Sequence, residues 1–146
     1  MGLNYDPWQH ATRLRLSVEE HRLPGRRRGE YRHGDRLILL APGMSHREAR
    51  STLAHELQHA IAGDLPTPFG PLHQRQEARA RRGAAALLID AREYAEAEQL
   101  RDGHLRSIAC DLEVTWRIVV DWRSYFASAS PSPSIARRAI DRSACW

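Results

Sequence analysis

Trp8, Ala11, Leu14 and Val18 recur at helical spacing behind Asp6-Pro7, an N-cap followed by proline at the first helical position. That pattern predicts a first helix, which the breaker Pro24-Gly25 brings to an end. Glu30-Tyr31-Arg32, the turn His33-Gly34-Asp35 and the apolar run Leu37-Ile38-Leu39-Leu40 then read as a short hairpin with one buried strand. Pro42-Gly43 closes it. Ser45-His46-Arg47-Glu48 matches a capping box, and Ala49, Leu53, Leu57, Ala60 and Ile61 behind it form one apolar stripe, with Gly63 as the stop. Pro66, Pro68, Gly70 and Pro71 make the next stretch a loop. A long Ala- and Arg-rich helix is predicted from about His73 to about Leu100, where Asp102-Gly103 breaks it. Two short helices follow, from Leu105 to Leu112 and from Thr115 to Phe126. Residues 1–126 are therefore expected to form a single domain, with Trp8, Trp116 and Trp122 in its core. Residues 127–146, opening on Ser-Ala-Ser-Pro-Ser-Pro-Ser, are expected to be a flexible tail that includes Trp146.

Composition narrows the class. At 146 residues, 42% hydrophobic and 27% charged, the chain has the make-up of one soluble globular domain. The longest apolar run, Leu37 to Ala41, is far short of the ~20 residues of a membrane-spanning helix. Charges and Asp6-Pro7 occupy the place of a signal sequence, so the expected location is the cytoplasm, or the host cytoplasm if the chain is phage-encoded. Cys110 and Cys145 are too few for a disulfide framework, and both are expected as reduced thiols. The net charge of +4 permits contact with nucleic acid without demanding it. All 22 basic residues are arginine, a bias typical of a GC-rich bacterial or phage genome. The run Arg26-Arg27-Arg28 reads as a solvated segment beside the hairpin.

His55-Glu56-Leu57-Gln58-His59 is an H-E-x-x-H motif, and it falls inside the capped helix. Positions i and i+4 lie one above the other, so both imidazoles can address one metal ion. Glu56 is rotated by about 100° from His55 and can act on a water beside the ion as general base. Random placement of 8 His and 10 Glu in this length gives roughly 0.03 matches to the pattern, so chance is a weak rival. Catalytic zinc usually takes a third protein ligand. Ala62 and Leu65 stand where the longer H-E-x-x-H-x-x-G-x-x-H pattern needs Gly and His, and Asp64 is expected to be turned away from both histidines. His46 lies too far up this helix and His104 too far along the chain. The next helix offers His73 and Glu77, one turn apart on a single face.

From about Gly29 to about Phe126 the sequence resembles the ImmA/IrrE-type metallopeptidases. The likeness rests on Gly29-Glu30-Tyr31, on the run from Arg47 through the motif to His59, and on the run from Glu77 through Ala84-Ala85-Ala86 to Leu87-Leu88. It implies an α+β, mainly helical, minimal zincin-like fold with a small antiparallel sheet and an active-site helix. It also implies a Zn2+ cofactor on His55, His59 and Glu77. The sequence departs from the family at Gln58, where Gly is common, at Arg81, where Asn or Asp is common, and at Asp90, where Pro is frequent. An extended peptide would lie along the edge strand of the sheet. The implied activity is zinc-dependent cleavage of a regulatory protein, a helix-turn-helix repressor of a phage, a mobile element or a stress response; no membrane partner is expected. Tyr31, His73, Tyr94 and His104 are candidates to stabilise the oxyanion.

Two other readings compete. Leu105, Ile108, Ala109, Leu112, Val114, Thr115 and Val119 resemble a helix-turn-helix, with Arg117 and Arg123 on its second helix, which would make the chain a DNA-binding regulator. Asp111, Glu113 and Asp121 carry the wrong sign for phosphate. The chain would otherwise be a non-catalytic, zinc-containing partner of a repressor, as in toxin–antitoxin pairs.

Overall fold

The capping signals act where they stand. In the computed structural model, which describes residues 1–127, Asp6 accepts hydrogen bonds from the backbone N–H groups of Trp8 and Gln9 and starts α1 (Pro7–Arg13). Ser45 and Glu48 cap each other's backbone and start α2 (His46–Ala62). Gly63 ends α2 in the left-handed conformation, φ 68°, which glycine adopts at no steric cost.

The hairpin forms as expected. β2 (Gly29–Arg32) and β3 (Leu37–Leu40) run antiparallel, with Tyr31 opposite Ile38. The third strand was not anticipated. Arg15 turns the chain at φ 56°, so α1 stops at Arg13 and Val18 belongs to β1 (Ser17–Glu20), not to a longer helix. β1 lies parallel to β3, with Val18 beside Ile38. The sheet is therefore mixed, in the order β1-β3-β2, rather than antiparallel throughout, and β2 is one of its edges. Six helices and this sheet make the fold α+β and mainly helical.

The predicted long helix is two. α3 (Gly70–Leu88) begins a turn earlier than expected, on Pro71, and ends at Ile89, whose backbone is extended. Asp90 then accepts from the N–H groups of Arg92 and Glu93 and opens α4 (Ala91–Leu100). Ile89 is buried at this corner, which lets the chain turn without exposing an apolar side chain. α5 (Leu105–Asp111) and α6 (Trp116–Phe126) complete the described part. The expected tail, from residue 128 on, lies outside the described residues. Trp122 is in the core and Trp8 packs against it, but Trp116, the first residue of α6, faces solvent under the Arg117 guanidinium. Cys110, expected as a thiol, is in a disulfide.

α2 has an apolar layer on either side. Leu53, Leu57 and Ala60 pack with Ala11, Leu16, Tyr31, Ile38 and Leu40 between helix and sheet. Ala54 packs on the other side with Ala84, Leu88, Ile108, Leu112, Val119 and Trp122 from the later helices. Arg50 joins the layers' ends. Its buried guanidinium donates to the carbonyls of Gly2, Tyr5, Leu112 and Glu113, tying the N-terminus and the α5–α6 turn to α2.

Candidate metal centre

Two helices bring the site together. His55 and His59 stand four positions apart on α2, so both rings project from one face, and α3 crosses that face with Glu77. The Nε2 atoms of the histidines lie 3.2 Å apart. Glu77 Oε2 is 3.3 Å from His55 Nε2, and its Oε1 is 3.1 Å from His59 Nε2. Three donors each about 2.0–2.1 Å from one tetrahedral ion would sit roughly 3.3 Å from one another, so the separations fit zinc. Two imidazoles and one carboxylate are also a donor set that zinc takes in catalytic sites. Among the described residues, these three are the His, Cys, Asp or Glu side chains close enough together to hold a metal ion. His73 is exposed in the first turn of α3 and stays out of the group.

The close crossing of α2 and α3 has a specific cause. A Cβ at Gly83 would fall 2.1 Å from the Gln58 side-chain oxygen, so the bare backbone of α3 makes room for that side chain. The long residue in place of the family's usual glycine is thus matched by a glycine on the facing helix. Arg81, the second departure, donates through Nε to Asp121 Oδ1 at 3.1 Å and fastens α3 to α6.

Glu56 is buried on the sheet side of the motif. Burial pushes its carboxyl above the usual range, partly offset by the positive charge available at His55 and His59. The Tyr31 backbone on β2 favours the charged carboxylate, as the smallest of these influences. Gly29 permits the close approach of β2, because a Cβ there would lie 2.6 Å from Thr52 and 2.8 Å from Glu56 Oε1.

Asp64 is a member of the site that the sequence reading misplaced. The left-handed turn at Gly63 sends the chain back, and Asp64 Oδ2 comes to lie 2.8 Å from His59 Nδ1. Nδ1 donates its hydrogen to Asp64, so Nε2, which faces Glu77, is the nitrogen that would lose its own proton and take a metal ion. Arg79 on α3 donates to both oxygens of Asp64 and holds it in place. The clue was the glycine stop, which reverses the chain and ends the helical phase on which the expectation depended. In the metal-free centre burial disfavours a charged His59, yet hydrogen bonds to Glu77 and Asp64 outweigh it and push the ring up to about 9. Hydrogen bonds from His55 and His59 hold Glu77 well below the ordinary carboxylate range.

The remaining candidates have other partners. The Tyr94 hydroxyl donates to Glu98 and accepts from Arg123 Nε, each at 2.7 Å, in the layer with Trp122. His104 caps α5 through its ring nitrogen. Tyr31 is buried, its hydroxyl 2.9 Å from His33 Nδ1. In the segment resembling a helix-turn-helix, Ile108, Leu112, Val114 and Val119 are buried. Its turn is clamped to α2 by Arg50 and by Ser51, which accepts from the Thr115 N–H.

No curated protein and no solved structure shows a significant match to the chain. The model of one family does, over residues 11–120, a span that takes in the end of α1, the whole sheet, the motif, Glu77 and the start of α6. On that match the chain belongs to the Peptidase M78 family, the IrrE N-terminal-like domain.

Proposed function

We propose that the chain is a zinc-dependent endopeptidase whose metal ligands are His55, His59 and Glu77 and whose general base is Glu56. The convergence of the three donor atoms at zinc-compatible spacing, with a buried carboxylate between them and a sheet edge, carries the reading. Membership in a peptidase family supports it. Zinc in that position would supply a Lewis acid for the scissile carbonyl and would lower the pKa of a water to about 7.

The chain's own groups do the rest. Glu56 takes a proton from the attacking water and returns it to the departing amine. Tyr31 and Gly29 fix its position from the strand side. The outer edge of β2 holds an extended substrate by main-chain hydrogen bonds. The substrate class we assign is a regulatory protein, a helix-turn-helix repressor of a phage, mobile element or stress response, met in the cytoplasm. Co-expression with repressors from neighbouring genes, followed by mass spectrometry of fragments, tests this. A new fragment pair formed by the wild type and not by a Glu56→Gln variant is expected. Intact repressors in every case would leave only the metal-bearing partner role.

A further inference from the structure

The segment between the two metal-bearing helices is unlike the rest of the surface. In residues 61–72 the one charged side chain is Asp64, which is only 12% exposed and is neutralised by Arg79. Ile61, Leu65, Phe69 and Leu72 are meanwhile 54%, 59%, 62% and 43% exposed. Such a stretch stands out in a chain that is 27% charged overall. It is also held rigidly. Asp64 is fixed by His59 and Arg79, the Leu65 carbonyl accepts from Gln76 Nε2, the Phe69 N–H donates to Thr67 Oγ1, and Pro66, Pro68 and Pro71 restrict the backbone between them. Leu65 directly follows Asp64, which bonds His59, and the Leu65 carbonyl is held by Gln76 of α3, so the loop borders the candidate metal centre at this end.

We infer that the lip formed by Leu65, Phe69 and Leu72, with Ile61 beside it, is the surface that receives large apolar side chains of the peptide being cleaved, next to its scissile bond. The inference rests on the peptidase reading and assigns the substrate's chemistry at that site. The position argues for the occupant: a Cβ at Gly63 would lie 3.8 Å from the ring of His33, just past β2, and Asp64 bonds His59, so a chain drawn along β2 and past the histidines leads to this loop. An uncharged, preorganised rim favours an aliphatic or aromatic residue over a charged one. A second copy of the chain fits less well. The four side chains expose on the order of 400 Å2, a size common for functional patches on monomers and about half of the ~800 Å2 per partner in a stable interface.

The test uses the full zinc-loaded chain carrying Glu56→Gln, which cannot turn peptides over. The probes are fluorescein-labelled twelve-residue peptides, identical except for a central Leu-Phe, Ala-Ala or Glu-Glu pair. The Leu-Phe peptide should bind at least about tenfold more tightly than the other two, and adding Leu65→Ser and Phe69→Ser should erase that preference. Both positions are exposed, and serine at 69 is itself a good N-cap for α3. Zinc content and helical circular dichroism should therefore not change. Equal binding of the three peptides, or a preference that survives the serine variant, overturns the inference. So does a loss of self-association in the variant, seen by sedimentation, without a change in peptide binding. Because binding is read without cleavage, the two failures are distinguishable: a chain that prefers Leu-Phe but cuts neither peptide nor repressor in its wild-type form would sink the peptidase reading and reduce the lip to a surface that binds apolar side chains.

Discussion

At the scale of single residues the proposed function separates the groups that would hold a metal, His55, His59 and Glu77, from the one that would move a proton, Glu56. Glu56 does not belong to the donor cluster, so Glu56→Gln should leave zinc content near one per chain and lower the cleavage rate by about 10²–10⁴-fold. Elemental analysis and a fragment assay read the two effects side by side. His55→Ala, His59→Ala or Glu77→Ala should each strip zinc on dialysis, whereas His73→Ala should retain it, since His73 is exposed and outside the cluster. Zinc binding should also depend on pH with a definite sign. In the metal-free chain His59 keeps its proton up to about pH 9 because of Glu77 and Asp64. Zinc must displace that proton, so the apparent affinity should rise about tenfold per pH unit from neutral pH and level off above pH 9. Competition with a chromophoric chelator measures it. A flat profile from pH 6.5 to 9 would contradict the protonated His59 of the metal-free centre.

Whole elements were legible in the sequence where a local chemical device specifies them, and obscure where a distant partner does. The caps at Asp6 and Ser45-Glu48 and the stop at Gly63 are local, and the start of α1 and both ends of α2 stand where those residues place them. The proximity of His55, His59 and Glu77 was legible too, because helical phase fixes the first two and the family likeness singles out the third. β1 was hidden. Four residues are too few to show a strand period, and Val18 also continued the helical spacing of α1; its partner, Ile38, lies twenty positions away. The corner at Ile89-Asp90 was obscured by strong helix formers on both sides, although Asp90 is an N-cap residue by type. Asp64 was missed because helical phase was carried past a residue that breaks it. The segment from Gly63 to Arg79 therefore makes its own prediction. Asp64→Ala should weaken zinc by roughly 10–100-fold, the usual cost of losing a group that orients a metal-bound histidine. Its unfolding midpoint in excess zinc should stay close to that of the wild type.

Taken as a whole, the molecule is two apolar layers that share α2, pinned at one end by Arg50. Truncating Arg50 to Met should strand the carbonyls of Tyr5, Leu112 and Glu113, since that of Gly2 keeps the Tyr5 N–H, at about 1–3 kcal/mol for each one that water cannot reach. A total loss of about 3–5 kcal/mol is expected, visible as a lower urea midpoint with zinc still bound at low denaturant. The shared helix also governs where this chain can change. A single residue inserted in α2 would rotate everything beyond it by about 100°. Both layers and both histidines would lose their alignment together. The loops at 21–28 and 65–69 carry no such double duty: they connect elements at the surface, one ahead of the edge strand and the other beyond Asp64, between the helices that carry the candidate ligands. Insertions there alter what approaches the metal without disturbing what holds it. The architecture thus lets descendants of this chain acquire new targets while the reaction itself stays the same.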